Sequence, residues 1–191
     1  MCLFISIIKL KLSPPLKNSN PLSPCTIVSM DSNKADDTTS ADKPKRLYFK
    51  TYLQVISNSV GSNLFRNFYV TTAYRGEFDA LGDGYNSCAF YVSAILVIFK
   101  KLEGVHGTVD STVKDLRQSG WLEVDKPKAG DVLVWDAIKF NDGLKEHIGF
   151  SIGNSKAISS SATKKVPIVH DEHFGNAKRD IVSIFRMPNW D

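Results

Sequence analysis

Cys88 and His147 are the residues whose types and spacing could do nucleophilic chemistry. Cys88 is the sole cysteine in the portion that reads as folded, and it opens a long apolar helical pattern. His147 sits in Glu146-His147-Ile148-Gly149-Phe150, which reads as the first strand of a hairpin. A thiolate is the attacking species, whereas a free cysteine at neutral pH is mostly thiol. At a helix start, unpaired N–H groups and the positive end of the dipole favour the thiolate. An imidazole nearby takes the proton and returns it to the leaving group. Each residue also has a plain reading: Cys88 as a small buried hydrophobe, His147 as a surface histidine on an edge strand.

An imidazole base needs a third group to hold its other nitrogen. With the hairpin turn centred near Asn154, a simple register places Ser159 or Ser160 opposite His147. Serines hold an imidazole weakly compared with a carboxylate, amide or second imidazole. His170, on what reads as the next strand after Val166-Pro167-Ile168-Val169, is the candidate for the stronger group; its plain reading is a loop histidine. The run His170-Asp171-Glu172-His173 has the ligand types of a metal site but no further ligand at a recognised spacing, so no metal and no cofactor are expected.

Around these residues the chain divides in two. Residues 13–46 are Pro, Ser, Asn, Lys and Asp without a period, which is too little apolar surface to offset the entropy of ordering. Residues 1–46 are therefore expected to form a disordered leader, and 47–191 the domain. Met1 to Leu12 is apolar but lacks a basic n-region and a small-x-small cleavage site, and is broken by Lys9 and Lys11. It makes a poor signal peptide. Met30 is an alternative start, which would leave residues 1–29 outside the native protein. From Leu47 onward 17 Lys+Arg face 16 Asp+Glu, so the basic excess belongs to the leader and a nucleic-acid surface is not expected. No run reaches the roughly 18 apolar residues of a membrane span.

In the domain, Tyr48 to Val60 has helical spacing, Tyr69 to Tyr74 is short and extended, and Gly76 to Tyr85 is a Gly/Asp-rich loop. Asn86 or Ser87 caps a central buried helix that begins at Cys88 and stops at Gly104. A shorter helix spans Val109 to Gln118. Strands follow at Val132 to Trp135, His147 to Ile152, Lys156 to Ser159 and Ile181 to Arg186, with turns at Pro127-Lys128-Ala129-Gly130-Asp131, Asn141-Asp142-Gly143 and Gly153-Asn154-Ser155. Helices first and an antiparallel sheet second make an α+β fold.

Three segments taken together, Asn86 to Val92, Pro127 to Trp135 and Glu146 to Asn154, resemble the NlpC-type papain-like cell-wall peptidases and the related CHAP amidases. The resemblance covers roughly Tyr74 to Arg186. It implies a papain-like domain with a Cys88-bearing helix packed on a sheet carrying His147. It also implies hydrolysis of amide bonds in peptidoglycan peptides, without a cofactor, by a monomer in the cell envelope or outside the cell. The sequence departs from the family pattern at Ser87, where an Asp is usual, at Phe90, where Gly is frequent, and at Ser159, where His, Asn or Gln is common. A catalytically weak module that binds wall glycan or peptide, with Trp135 and Tyr74 as platforms, is the second reading, and a thiol acyltransferase the third.

Because the leader has no apolar period, deleting residues 1–46 is expected to leave the melting temperature of 47–191 unchanged. A large drop in a thermal melt would show that the apolar start packs on the domain.

Overall fold

The computed structural model describes residues 44–141, 143–175 and 178–190. The expected leader, apart from its last three residues, lies outside them. Three helices are described, α1 (Tyr48–Asn58), α2 (Cys88–Ile98) and α3 (Val109–Gln118). A small antiparallel hairpin pairs β1 (Tyr69–Thr72) with β2 (Gly76–Asp79). The main sheet contains β3 (Leu122–Glu123), β4 (Val132–Phe140), β5 (Gly143–Gly153), β6 (Lys156–Ser160), β7 (Pro167–Asp171) and β8 (Ile181–Arg186). Its spatial order is β3-β8-β4-β5-β6-β7, and every pairing is antiparallel. The α+β class expected from the sequence is thus the observed one.

Helix α2 packs against β5 and β6. Ala89, Tyr91, Val92, Ile95 and Leu96 are all buried, and residues as large as Ile95 and Leu96 each contribute about 2 kcal/mol by leaving water. Strand alternation explains the continuous apolar run of β4. Val132 and Val134 join the helix-side core with Ile148, Phe150 and Ile158, while Leu133 and Trp135 pack on the opposite face with Ala157 and Ile184. Both faces of the sheet's centre are covered.

Several boundaries differ from the sequence reading: β4 runs on to Phe140 and β5 starts at Gly143, beyond the expected Val132 to Trp135 and His147 to Ile152, and two further differences bear on the site. The Gly/Asp-rich loop begins with four residues of strand, because Gly76–Asp79 pairs with Tyr69–Thr72 and its own polarity does not prevent an exposed ladder. Helix α2 stops at Ile98 rather than near Gly104. Lys100 takes a left-handed φ of 56°, and its N–H bonds Val97 O while Lys101 N–H bonds Leu96 O. That is a Schellman closure built on lysine in place of the glycine that usually ends a helix.

Helix α1 is held against the turn before β4. The Tyr52 hydroxyl donates to Gly130 O at 2.9 Å, and the Tyr52 ring stacks on Trp190 at 4.0 Å and meets Phe150 edge-on. Gly130 has φ +92°, and a Cβ there would come within 2.8 Å of Phe49. The same turn is closed by Asp131, which accepts from Lys128 N–H and pairs with Arg186 at 2.6 Å. Gly130→Ala therefore meets both a strained φ and a blocked Cβ. It is expected to cost about 1–3 kcal/mol in chemical denaturation; an unchanged midpoint would show that α1 docks without this turn.

Candidate functional site

The start of α2 reaches the sheet where two strands part. The β5–β6 ladder runs from Gly153 opposite Lys156 to Phe150 opposite Ile158, and β6 then continues only with β7. Beyond that point Ser87 and Cys88 meet both strands. Ser87 Oγ donates to Gly84 O at 2.8 Å and shares a 2.5 Å hydrogen bond with Ser160 Oγ. It occupies the position before the helix without capping it, because its hydroxyl is spent on these contacts.

The approach to Cys88 is tied down by two aspartates. Asp79 accepts from the N–H groups of Phe68, Leu81 and Asp83 and from Asn67. Burial opposes its ionisation, but these bonds outweigh it and hold the carboxyl down at about 2. Asp83 in turn pairs with Arg66 and with Lys165.

Cys88 is half-buried at this junction. Burial pushes its thiol above the ordinary value, against hydrogen bonds from the backbone N–H groups of Ile148 and Ala89 and the positive charge of Arg179. The Ile148 N–H belongs to the residue next to His147. Cys88 and His147 line the same cleft of about 390 Å³, together with Tyr85, Asn86, Lys145 and Arg179. The thiol and imidazole singled out by sequence thus share one cavity.

The other nitrogen of His147 leads into a chain of hydrogen bonds. His147 Nε2 lies 2.7 Å from Ser159 Oγ, which lies 2.7 Å from His170 Nε2, and His170 Nδ1 lies 2.8 Å from Asp171 O. The last link sets the direction of all the others. A backbone carbonyl can only accept, so His170 Nδ1 carries a proton and donates it. In the neutral ring Nε2 is then bare and accepts from the Ser159 hydroxyl. Ser159 Oγ in turn accepts from His147 Nε2–H. By elimination the lone pair of neutral His147 is on Nδ1, the nitrogen left for a thiol proton.

Both rings are kept neutral. Burial, then the Arg179 charge, lowers His147 to about 3. Burial also lowers His170, against the favourable effect of Asp171. The rings pack on a fully buried Trp135 at 5.5 and 5.6 Å, and Phe174 stacks on His170 at 4.1 Å.

This geometry revises the expected hairpin register. Carried one step past Phe150–Ile158, the register brings Gly149, not His147, opposite Ser159, and the His147 and Ser159 side chains meet diagonally across the glycine. A Cβ on Gly149 would stand 2.7 Å from both Ile158 O and Ser159 Cβ and 3.1 Å from the Trp135 ring. Ser160 points instead to Ser87. Ser159 and His170, alternative partners of His147 in the sequence, stand in series along one hydrogen-bond chain.

The remaining candidates are dispersed. In His170-Asp171-Glu172-His173, Glu172 turns inward to accept from Ser151 Oγ at 2.7 Å, and His173 is exposed. No group of three or more His, Cys, Asp or Glu is gathered for a metal among the described residues. Trp135 cannot serve as a ligand platform, since its ring is enclosed and its Nε1 donates to Glu172 O. Tyr74 is fully exposed in the turn between β1 and β2 and does not line the cleft.

Arg179 is the residue that sequence reasoning missed. It is 5% exposed and donates from Nε to Asp136 O at 2.7 Å and from Nη2 to Lys145 O. Those carbonyls flank the break in the β4–β5 ladder between Trp135 and Ile138. A basic residue two before a strand is commonplace, so nothing in the sequence marked it.

No family model matches the chain, and no curated protein gives a significant match.

A long-range ¹H–¹⁵N spectrum should find His147 as the Nε2–H tautomer at pH 7; an Nδ1–H ring would break the chain of assignments. The folded protein protonates His147 only near pH 3, whereas the unfolded chain does so near 6.5. The unfolded state therefore binds more protons between these values. The stability contributed by His147 is complete above pH 6.5 and falls as pH drops toward 3, which denaturant titrations across that window will measure.

Proposed function

We propose that this chain is a cysteine-dependent amide hydrolase of the NlpC-type papain-like kind, acting on peptidoglycan peptides. The observation that supports it most is the directed chain from Asp171 O through His170 and Ser159, which leaves the lone pair of His147 on Nδ1, in a residue that lines the same cleft as Cys88. The resemblance of the three sequence segments supplies the substrate class.

In this reading the substrate amide enters the cleft and Cys88 Sγ attacks its carbonyl carbon as His147 Nδ1 takes the thiol proton. The C–S bond forms while the carbonyl oxygen becomes an oxyanion, which backbone N–H groups at the start of α2 stabilise. Collapse breaks the C–N bond, and His147 returns the proton to the departing amine. Water, deprotonated by His147, then attacks the thioester, releasing a carboxylic acid and restoring the thiol. Because burial disfavours both the free thiolate and the imidazolium, the pair rests neutral and the proton moves during attack.

Cys88→Ala should abolish the release of new amine and carboxyl ends from peptidoglycan, identified by mass spectrometry, without a change in fold. Release at the wild-type rate would overturn the proposal. Ser159→Ala and His170→Ala should each lower turnover by orders of magnitude, towards the roughly ten-thousandfold seen when an orienting group is lost from a serine protease. Two mild variants in an active protein would show that the imidazole is held some other way.

A further inference from the structure

The cleft contains a charge that the hydrolytic mechanism does not use. Arg179 lines it beside Cys88 and His147, and also lines a second cavity of about 350 Å³ that shares the His147 wall. Its guanidinium spends Nε and Nη2 on carbonyls, which are neutral. The nearest carboxylate, Asp136, stays 3.7 Å away from Nε, and Asp136 Oδ1 has no hydrogen-bond partner. Arg179 Nη1 makes no hydrogen bond among the described residues either. Yet Asp136 Oδ1 is the one enclosed side-chain N or O atom there without a partner, so Nη1 keeps an opening to solvent.

Holding a guanidinium out of water with two carbonyl hydrogen bonds and one carboxylate at 3.7 Å, too far to accept a hydrogen bond, is costly, and an anion that completes its hydrogen bonds recovers part of that cost. The acidic groups on the cleft wall, Asp110 and Glu146, are exposed and well screened, whereas Arg179 is not. Lys145, the other cation of the wall, is held by Asn86 Oδ1 at 2.7 Å and lies over the Tyr85 ring.

We propose that Arg179 is a specificity residue: its Nη1 side binds a carboxylate of the substrate close to the amide that Cys88 attacks. This rests on the hydrolase reading for the amide, while the anion preference rests on the cleft alone. A guanidinium with Nη1 left to bond on the cavity wall suits a carboxylate better than a neutral amide, which cannot meet the charge. A substrate amidated at that position loses the contact and leaves the Nη1 side of the guanidinium desolvated with no anion bonded to it.

The test uses two alkylating probes of nearly the same size, one anionic and one neutral. Iodoacetate and iodoacetamide are reacted with the full chain, and labelling is read at Cys88 by peptide mapping, since Cys2 and Cys25 are also present. The iodoacetate-to-iodoacetamide rate ratio, normalised to glutathione, should exceed one by about tenfold. Arg179→Met should bring the ratio to that of glutathione, and Arg179→Lys should restore part of it. Should the Met variant fail to fold, wild-type protein provides the same answer: succinate should protect Cys88 from iodoacetamide at concentrations where succinamide does not. A ratio at or below one, with equal protection by the two compounds, overturns the carboxylate site. Slow labelling by both probes alike would instead count against the reactive thiol and hence against the hydrolase.

Discussion

A carbonyl oxygen has no proton to give, and the hydrogen-bond directions around His147 depend on that fact at Asp171. Its bond to His170 Nδ1 determines which way Ser159 points its hydroxyl, and Ser159 determines which nitrogen of His147 carries the proton. A serine alone is an ambiguous partner, able to donate or accept. Placed between two imidazoles, one already committed to a backbone acceptor, it has a single consistent orientation. The weak orienter seen in the sequence becomes a specific one because its own hydroxyl is oriented.

The chain of bonds needs support from both sides. Gly149 leaves the space in which His147 reaches Ser159 diagonally, and any Cβ there would collide with β6. Trp135 forms the floor beneath both rings and is itself anchored through Nε1 to Glu172 O. The thiol is supplied from elsewhere in the chain: α2 presents Cys88 where β5 and β6 part, with Ser87 bonded to Ser160. Burial that disfavours protonation of the imidazoles also raises the thiol, so in the proposed hydrolase the proton moves during attack rather than resting in a standing ion pair.

Sequence and structure agree most closely where local pattern and burial coincide. Helix α3 was legible residue for residue, with Thr108 accepting from Ser111 N–H at its start and Asp110 in its first turn. The turn at Gly153-Asn154-Ser155 was legible because Asn154 and Ser155 both take positive φ, a conformation that small polar residues next to glycine tolerate. The end of α2 was misplaced because a lysine adopted the left-handed conformation that usually calls for glycine. The hairpin register was misplaced too, since Phe150 pairs with Ile158 after an irregularity between Ser151 and Gly153 that a turn motif does not show.

What the sequence by itself determined is the α+β order of elements, the apolar helix headed by Cys88, and the pairing of a lone thiol with His147 as the chemistry worth testing. Those features follow from short-range periodicity and residue type. Tertiary structure alone decided that Ser159 and His170 stand in series, that Ser160 serves the helix instead, and that Arg179 is buried in the cleft. Each of these is a contact between distant segments or between a side chain and a backbone carbonyl. Carbonyls are the same at every position of a sequence, so only folding shows which one is an acceptor for His170 and which ones clamp Arg179.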